Sequence, residues 1–361
     1  MVGMSGGVDS AVAAHILKEQ GYDVAGLFMK NWEEDDAAEY CTALADFGDA
    51  AAVCDKLGID LLTSDFSTEY WDNVFEYFLA DYRAGSTPNP DVLCNREIKF
   101  KLFADYATEL GFDTLATGHY ARRSDMGEPF RLLKACDTNK DQTYFLQAVP
   151  ASRLERCLFP IGDLPKPKVR EQARALGFEV HDKKDSTGIC FIGERRFDDF
   201  LARYVRGVPG PIQDIDGTRL GEHRGLPFYT LGQRQGIGLG GIKGRAERAW
   251  YVAGKDPSTN TLTVTQDERD LDSSWLVATQ LNWISPSMGE GVPDGQGLRC
   301  SAKVRYRQPE QPCELAFDGD HVRVVFDIPQ RAVTPGQFAA FYDGDECLGG
   351  GRIVAAGSCD G

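Results

Sequence analysis

At 361 residues the chain exceeds what one hydrophobic core supports, which excludes a single small domain and requires two or three. A hydrophobic share of 42% with 26% charged residues is that of a soluble globular protein, and no apolar run approaches the roughly 18 residues of a membrane span. A net charge of −16 speaks against a nucleic-acid partner when taken alone, although a basic patch can sit on an acidic protein.

The first seven residues have no basic region and no long apolar core, so no secretory signal is expected and the cytoplasm is the expected compartment. In such a reducing compartment, cysteines 41, 54, 94, 136, 157, 190, 300, 313, 347 and 359, with no Cys-x-x-Cys pair, read mostly as small buried hydrophobes, and no metal site is expected.

Ser5-Gly6-Gly7-Val8-Asp9-Ser10 leads into a helical pattern in which Val8, Val12 and Ile16 recur at a four-residue spacing. Two glycines admit close approach of a ligand. The serines offer hydrogen bonds, and the helix aims free N–H groups and a positive dipole end at the loop, which suits phosphate. No Gly-Lys-Ser/Thr follows, so this is not a Walker loop, and the dinucleotide Gly-x-Gly-x-x-Gly spacing is absent.

Residues 23–29 and 59–63 read as buried strands, and the acidic run 33–36 between them reads as a solvated loop. An aromatic-rich helix spans 66–82. Pro88 and Pro90 break the chain, and a new helix is expected from Asn95 as N-cap, with Ile98, Leu102 and Tyr106 on its face. Residues 113–117 form a strand ending in Gly118-His119-Tyr120, and 168–176 is one more helix. This alternation predicts a parallel α/β sheet. The stretch 207–211 reads as a linker, and the glycine-dense 232–241 as a hairpin or a substrate-adjacent loop. From about residue 270, short strands at 302–306, 321–326 and 338–342 suggest a small β-barrel.

Two cysteines have chemical surroundings. A helix starting at Asn95 would put Cys94 at its N-terminus with Arg96 and Lys99 near, conditions that favour a thiolate. Asp91, in a proline-restrained loop, could act as general acid or base. Cys190 lies in a loop-like stretch, 183–196, bracketed by lysines and arginines. Blander readings stand beside these: inert cysteines, a satisfied core histidine at 119, a solvated strand face at Arg305, Tyr306 and Arg307, and plainly exposed Lys183 and Lys184.

Together the motifs at 5–10, 26–32, 89–95, 116–121, 140–146, 185–191 and 334–337 resemble the bacterial tRNA-specific 2-thiouridylase family of the ATP pyrophosphatase superfamily. The resemblance implies three domains. These are a PP-loop, adenine nucleotide alpha hydrolase-like catalytic domain over 1–199, a small central domain over 200–269, and a tRNA-gripping β-barrel over 270–361. It implies thiolation of the wobble uridine of the tRNAs for Lys, Glu and Gln. ATP, with Mg2+, would adenylate the uridine oxygen, and sulfur would come from a sulfur-relay protein or a cysteine desulfurase.

By the same resemblance Cys190 carries the persulfide, Cys94 is the nucleophile and Asp91 the acid/base group. Gly3, Met4, Ser5, Gly6, Gly7, Val8, Asp9, Ser10, Met29 and Gly118 line the ATP site. Asn89, Pro90 and Asp91 hold the target base, and His119, Lys140, Asp141, Gln142, Arg305, Tyr306 and Gln337 contact tRNA. A terminal persulfide sulfur is too oxidised to leave as sulfide, so a second thiol must supply two electrons, leaving a disulfide. The reading also expects one basic face from Lys99, Lys101, Lys140, Lys183, Lys184, Arg195, Arg196 and Arg305. Only Met1 and Val2 precede Gly3, so the first strand is expected to be truncated or mostly absent and the sheet edge weak. The competing expectations are another adenylating ligase of the superfamily and a non-catalytic, ATP-dependent tRNA-binding module.

Overall fold

The computed structural model describes residues 1–32, 42–184, 197–240, 248–288 and 297–358. The acidic run 33–36, Cys190 with its flanks 185–196, and Arg195 and Arg196 lie outside the described residues.

The N-terminal third alternates strand and helix: β1 (Val2–Met4), α1 (Val8–Glu19), β2 (Gly26–Lys30), α2 (Thr42–Leu57) and β3 (Leu61–Asp65). Two longer helical runs follow, α3 over 67–83 and α4 over 90–109, each with a π-helical stretch inside it. Then come β4 (Leu115–Ala116), the hairpin β5 (Ala121–Arg123) and β6 (Leu132–Lys134), β7 (Cys157–Leu158) and α5 (Lys166–Ala175). The parallel sheet has the order β3-β2-β1-β4-β7. Alternate residues of β2 point to opposite faces. Leu27 joins the aromatic cluster of α3 and α4, and Phe28 packs with the alanines of α1 and with α2 and α5.

Strand β1 corrects an expectation. It is short, as expected, but it lies mid-sheet rather than at an edge, with Val2 paired to Gly26 on one side and to Ala116 on the other. Neighbours on both sides satisfy its backbone, and Val2 and Met4 are buried against α1. Three residues suffice where both ladders are supplied.

Helix α4 is a second correction. It starts at Pro90 rather than Asn95, and its N-cap is Asn89, whose side-chain oxygen accepts from Val92 N at 3.4 Å. Proline tolerates the first helical position because that N–H has no intrahelical acceptor anyway. Asn95 is therefore inside the helix, buried, donating to the Phe145 carbonyl at 3.4 Å.

The central sheet orders β8 (Gly210–Asp214), β9 (Arg219–His223), β10 (Tyr251–Asp256) and β11 (Thr261–Thr265) as β10-β11-β8-β9. Residues 232–240 form turns rather than a hairpin between paired strands, and they lie along β10, with Gly232 N donating to Val252 O at 2.8 Å.

The C-terminal strands are β12 (Asp272–Trp283), β13 (Gly297–Lys303), β14 (Gln311–Asp318), β15 (His321–Arg331), β16 (Phe338–Asp343) and β17 (Glu346–Gly357). Their order, β12-β15-β14-β13-β16-β17, closes through β12–β17 into a barrel around Leu276, Val324 and Phe341. The β5–β6 hairpin of the N-terminal region joins it, since Leu132 of β6 pairs with Cys347 of β17. Strand β13 ends at Lys303, so Arg305 and Tyr306 lie in a turn and not on the expected strand.

Candidate active site

Met4 ends β1 and Val8 begins α1, leaving Ser5, Gly6 and Gly7 to turn the chain. Gly6 has φ +68°, and a side chain there would meet the Asp46 carbonyl oxygen at 2.2 Å. Ser10 Oγ ties the turn together by accepting from Ser5 N at 3.2 Å and donating to Gly7 O at 3.1 Å. The N-cap Gly7 supplies no side-chain cap, so the first amides of a 12-residue helix are left for a ligand. Gly118, just beyond β4, sits against this corner, where an added Cβ would be 2.7 Å from Ser10 N. Ser5 is exposed, and Gly3 and Met29 are half-buried. Glycines that permit close approach and uncapped amides on a positive helix end fit an oligophosphate.

Two lysines that were not assigned to this site hold it. Lys166, buried at the start of α5, places Nζ 2.8 Å from both oxygens of Asp9, and Tyr120 donates to Asp9 at 2.9 Å. Lys183, expected to be exposed, instead donates to Gly6 O at 2.9 Å and to Asp46 and Asp49 at 2.6 and 2.5 Å. Burial alone would lower the Lys183 pKa, but its hydrogen bonds to the two carboxylates and their charges raise it overall. Among the described residues no group of three or more His, Cys, Asp or Glu could hold a metal ion.

Asp91 lies in the first turn of α4, and Cys94 follows one turn later on the same side. Asp91 is thus helical, not in a loop. Cys94 is 1% exposed and four residues inside the helix, so the expected position at a helix N-terminus does not hold. Arg96 and Lys101 both pair with Glu97 at 2.8 Å.

The start of α4 is fastened to the barrel. Asn89 Nδ2 donates to Gln337 Oε1 at 3.3 Å, and Gln337 Nε2 donates to the Thr87 and Pro88 carbonyls at 2.8 and 3.0 Å. Gly336, with φ +93°, permits the approach. Beside this contact a cleft of about 490 Å³ opens between α3, α4 and the barrel, lined in part by Tyr77, Asn89, Arg96, Lys101 and Arg352.

The remaining expected tRNA contacts are bonded within the protein. Gln142 exchanges hydrogen bonds with the Tyr120 backbone at 2.8 Å. Asp141 is buried, bonded to Thr143 Oγ1 at 2.8 Å and 3.6 Å from Lys303. Tyr306 packs against Phe145 with ring centroids 4.5 Å apart and the rings tilted by 42°, and its hydroxyl reaches Lys140 O at 3.4 Å. Arg305 turns inward, donating through Nη2 to the Leu231 and Ala332 carbonyls and to Thr334 Oγ1. His119 is buried beside Phe100, its Nδ1 2.8 Å from Thr117 Oγ1, and burial followed by the Lys99 charge holds it neutral. With Lys183 and Arg305 both turned into the protein, the single basic face expected from the sequence does not form as drawn.

Family profiles match along the chain. The one described as "tRNA methyl transferase HUP domain" covers residues 1–194, "tRNA methyl transferase PRC-barrel domain" covers 198–266, and "Aminomethyltransferase beta-barrel domain" covers 273–353. A protein named "tRNA-specific 2-thiouridylase MnmA" from Pseudomonas fluorescens (strain SBW25) is 56% identical over 99% of this chain and 94% of its own length. Proteins of the same name from Hahella chejuensis (strain KCTC 2396) and Shigella boydii serotype 4 (strain Sb227) are 57% and 56% identical, each over 98% of this chain and 96% of their own.

Proposed function

This chain belongs to the tRNA-specific 2-thiouridylase family and is a tRNA-modifying sulfurtransferase, and from that premise we propose how its residues divide the reaction. The uridine carbonyl carbon belongs to a urea-like ring and is a poor electrophile. ATP held by Ser5 to Ser10, with Gly3, Met29 and Gly118 around it, activates that carbonyl. The uridine oxygen attacks the α-phosphorus, pyrophosphate leaves, and the oxygen becomes part of an AMP leaving group. Lys166 and Lys183 keep the loop in shape by neutralising Asp9, Asp46 and Asp49.

Sulfur arrives on Cys190 as a persulfide from an external donor, a sulfur-relay protein or a cysteine desulfurase. The terminal sulfur bonds to the uridine carbon, and AMP departs with the original oxygen. Cys94 then attacks the Cys190 sulfur, and the electrons of the broken S–S bond stay on the uridine sulfur. The products are 2-thiouridine and a Cys94–Cys190 disulfide, which an external thiol must reduce. Asp91, one turn from Cys94, exchanges the protons. Asn89 and Pro90 hold the base beside Cys94, and Lys140, Gln142, Tyr306 and Gln337 meet the anticodon loop, whose wobble base is single-stranded and needs no duplex opening. The acceptors we propose are the tRNAs for Lys, Glu and Gln, and the compartment is the cytoplasm. Among the described residues no helix is long and apolar enough to cross a membrane.

The observation that carries this reading is 56% identity over nearly the whole chain, because a phosphate loop alone is silent about substrate. Incubation with ATP, magnesium, a persulfide donor and unmodified tRNA(Glu) should give thiolated wobble uridine by mass spectrometry of the digested tRNA. No thiolated nucleoside, or full activity in both Cys94→Ser and Cys190→Ser proteins, would overturn it.

A further inference from the structure

Outside the proposed catalytic pair, cysteines in this chain read as packing residues, but two of them are not isolated. Cys300 on β13 and Cys313 on β14 are direct partners in the antiparallel register, and their sulfurs are 3.8 Å apart. Both are free thiols, with Cys313 fully buried in the barrel core and Cys300 only half-buried. Directly opposed residues of antiparallel strands have Cα atoms roughly 4.5–5.5 Å apart, inside the roughly 4.4–6.8 Å that a disulfide spans. Joining these sulfurs therefore needs side-chain rotation and no strand movement.

We propose that Cys300 and Cys313 are a redox-active dithiol that closes to an intrachain disulfide when the protein meets a peroxide. The half-buried Cys300 sulfur attacks hydrogen peroxide, forming a sulfenic acid and releasing one water. The Cys313 sulfur then attacks the Cys300 sulfur, its proton leaves with the hydroxyl as a second water, and the disulfide remains. Two thiols and one peroxide thus give one disulfide and two waters, and a dithiol reductant reverses the change. The hydrogen bond with Cys300, and then burial, push the Cys313 thiol far above its ordinary pKa, so it is Cys300 and not Cys313 that meets the peroxide first. The ring so closed contains the turn with Arg305 and Tyr306, which packs against Lys140 and Phe145 of the catalytic domain. Oxidation would pin that turn to the barrel.

The test treats the full chain with hydrogen peroxide, unfolds it in denaturant containing N-ethylmaleimide to block remaining thiols, and digests with trypsin without reduction. Cleavage after Arg299, Lys303, Arg307 and Arg323 puts the two cysteines on separate peptides. The expected product is peptide 300–303 joined to peptide 308–323, two hydrogens lighter than their sum, in most molecules and lost with dithiothreitol. Full alkylation of both peptides, or sulfinic acid at Cys300 with Cys313 still alkylated, would overturn the proposal. In Cys300→Ser, a change at a half-buried position, peptide 308–323 should stay fully alkylatable after the same treatment. Its capture by another cysteine peptide would also count against a dedicated pair.

Discussion

The nucleotide loop and the thiol helix are built in opposite ways. The loop takes its backbone from six consecutive residues: Gly6 and Gly118 stand where any Cβ would strike backbone, and Lys166 and Lys183 only brace a turn that the motif already makes. The start of the thiol helix takes its position from the far end of the chain, where Gln337 grips the Thr87 and Pro88 carbonyls across some 250 residues. A phosphate site needs uncapped amides and room, most of which a short motif encodes. A site that must receive a base presented on an anticodon arm has to be registered against the domain that holds the arm. That registration is long-range in sequence.

Substitutions sort along this contrast. The largest effect is expected at Cys94. Cys94→Ser should lower thiolation by about a thousandfold or more while leaving ATP affinity within about twofold, read by tRNA mass spectrometry beside nucleotide titration. An equal loss of ATP affinity would mean that the two regions are not separable. Next, Gly118→Ala pushes a methyl group into Ser10 N and should destabilise the fold by about 2 kcal/mol and weaken ATP binding about tenfold, measured by denaturant unfolding and equilibrium titration. Unchanged ATP affinity would break the steric account of the loop.

Gln337→Ala leaves two carbonyls without their donor, at a cost of about 1–2 kcal/mol. The tRNA KM should rise severalfold with kcat and ATP affinity nearly kept, and steady-state kinetics with tRNA and ATP varied in turn would show it. A change confined to the ATP KM would contradict the registration argument.

The smallest effect belongs to Lys255 in the central domain, whose burial pulls its pKa down to about 8. Its unfolded value is about 10.4, so between about pH 8 and 10.4 the unfolded chain binds more protons and stability rises with pH. Lys255→Met should be about 1 kcal/mol more stable than the parent at pH 7, the lost bond to the Tyr229 carbonyl offsetting part of the gain. That advantage should shrink toward pH 10 in paired melts, and a difference that does not vary with pH would show that the amine is not penalised.

What could be read from the chain alone follows the same division. Ser5 to Ser10 announces itself because the turn, the helix start and the glycines are contiguous. Asn89 and Asn95 are equally good caps on paper, and Pro90 between them reads either as a breaker or as a first helical residue. Only the barrel, which fastens Asn89, separates the two. β1 looked too short because its two ladder partners, around Gly26 and Ala116, are distant in sequence. Lys166 and Lys183 left no trace as site residues, because an ion pair spanning 157 or 137 positions has no spacing to detect. Arg305 was legible as a charge but not as a donor to carbonyls inside the fold.

The pairing of β6 with β17 also orders events in time. During synthesis the hairpin emerges with its outer ladder open, and its partner strand follows some 210 residues later, as the register of Leu132 with Cys347 shows. An open strand edge is a template for the wrong partner. A nascent chain stalled before β17, or a barrel expressed without the first domain, is left with an incomplete shared sheet and should aggregate more readily than the whole protein. Strand β17 both closes the barrel against β12 and covers an edge that β6 presents some 210 residues earlier.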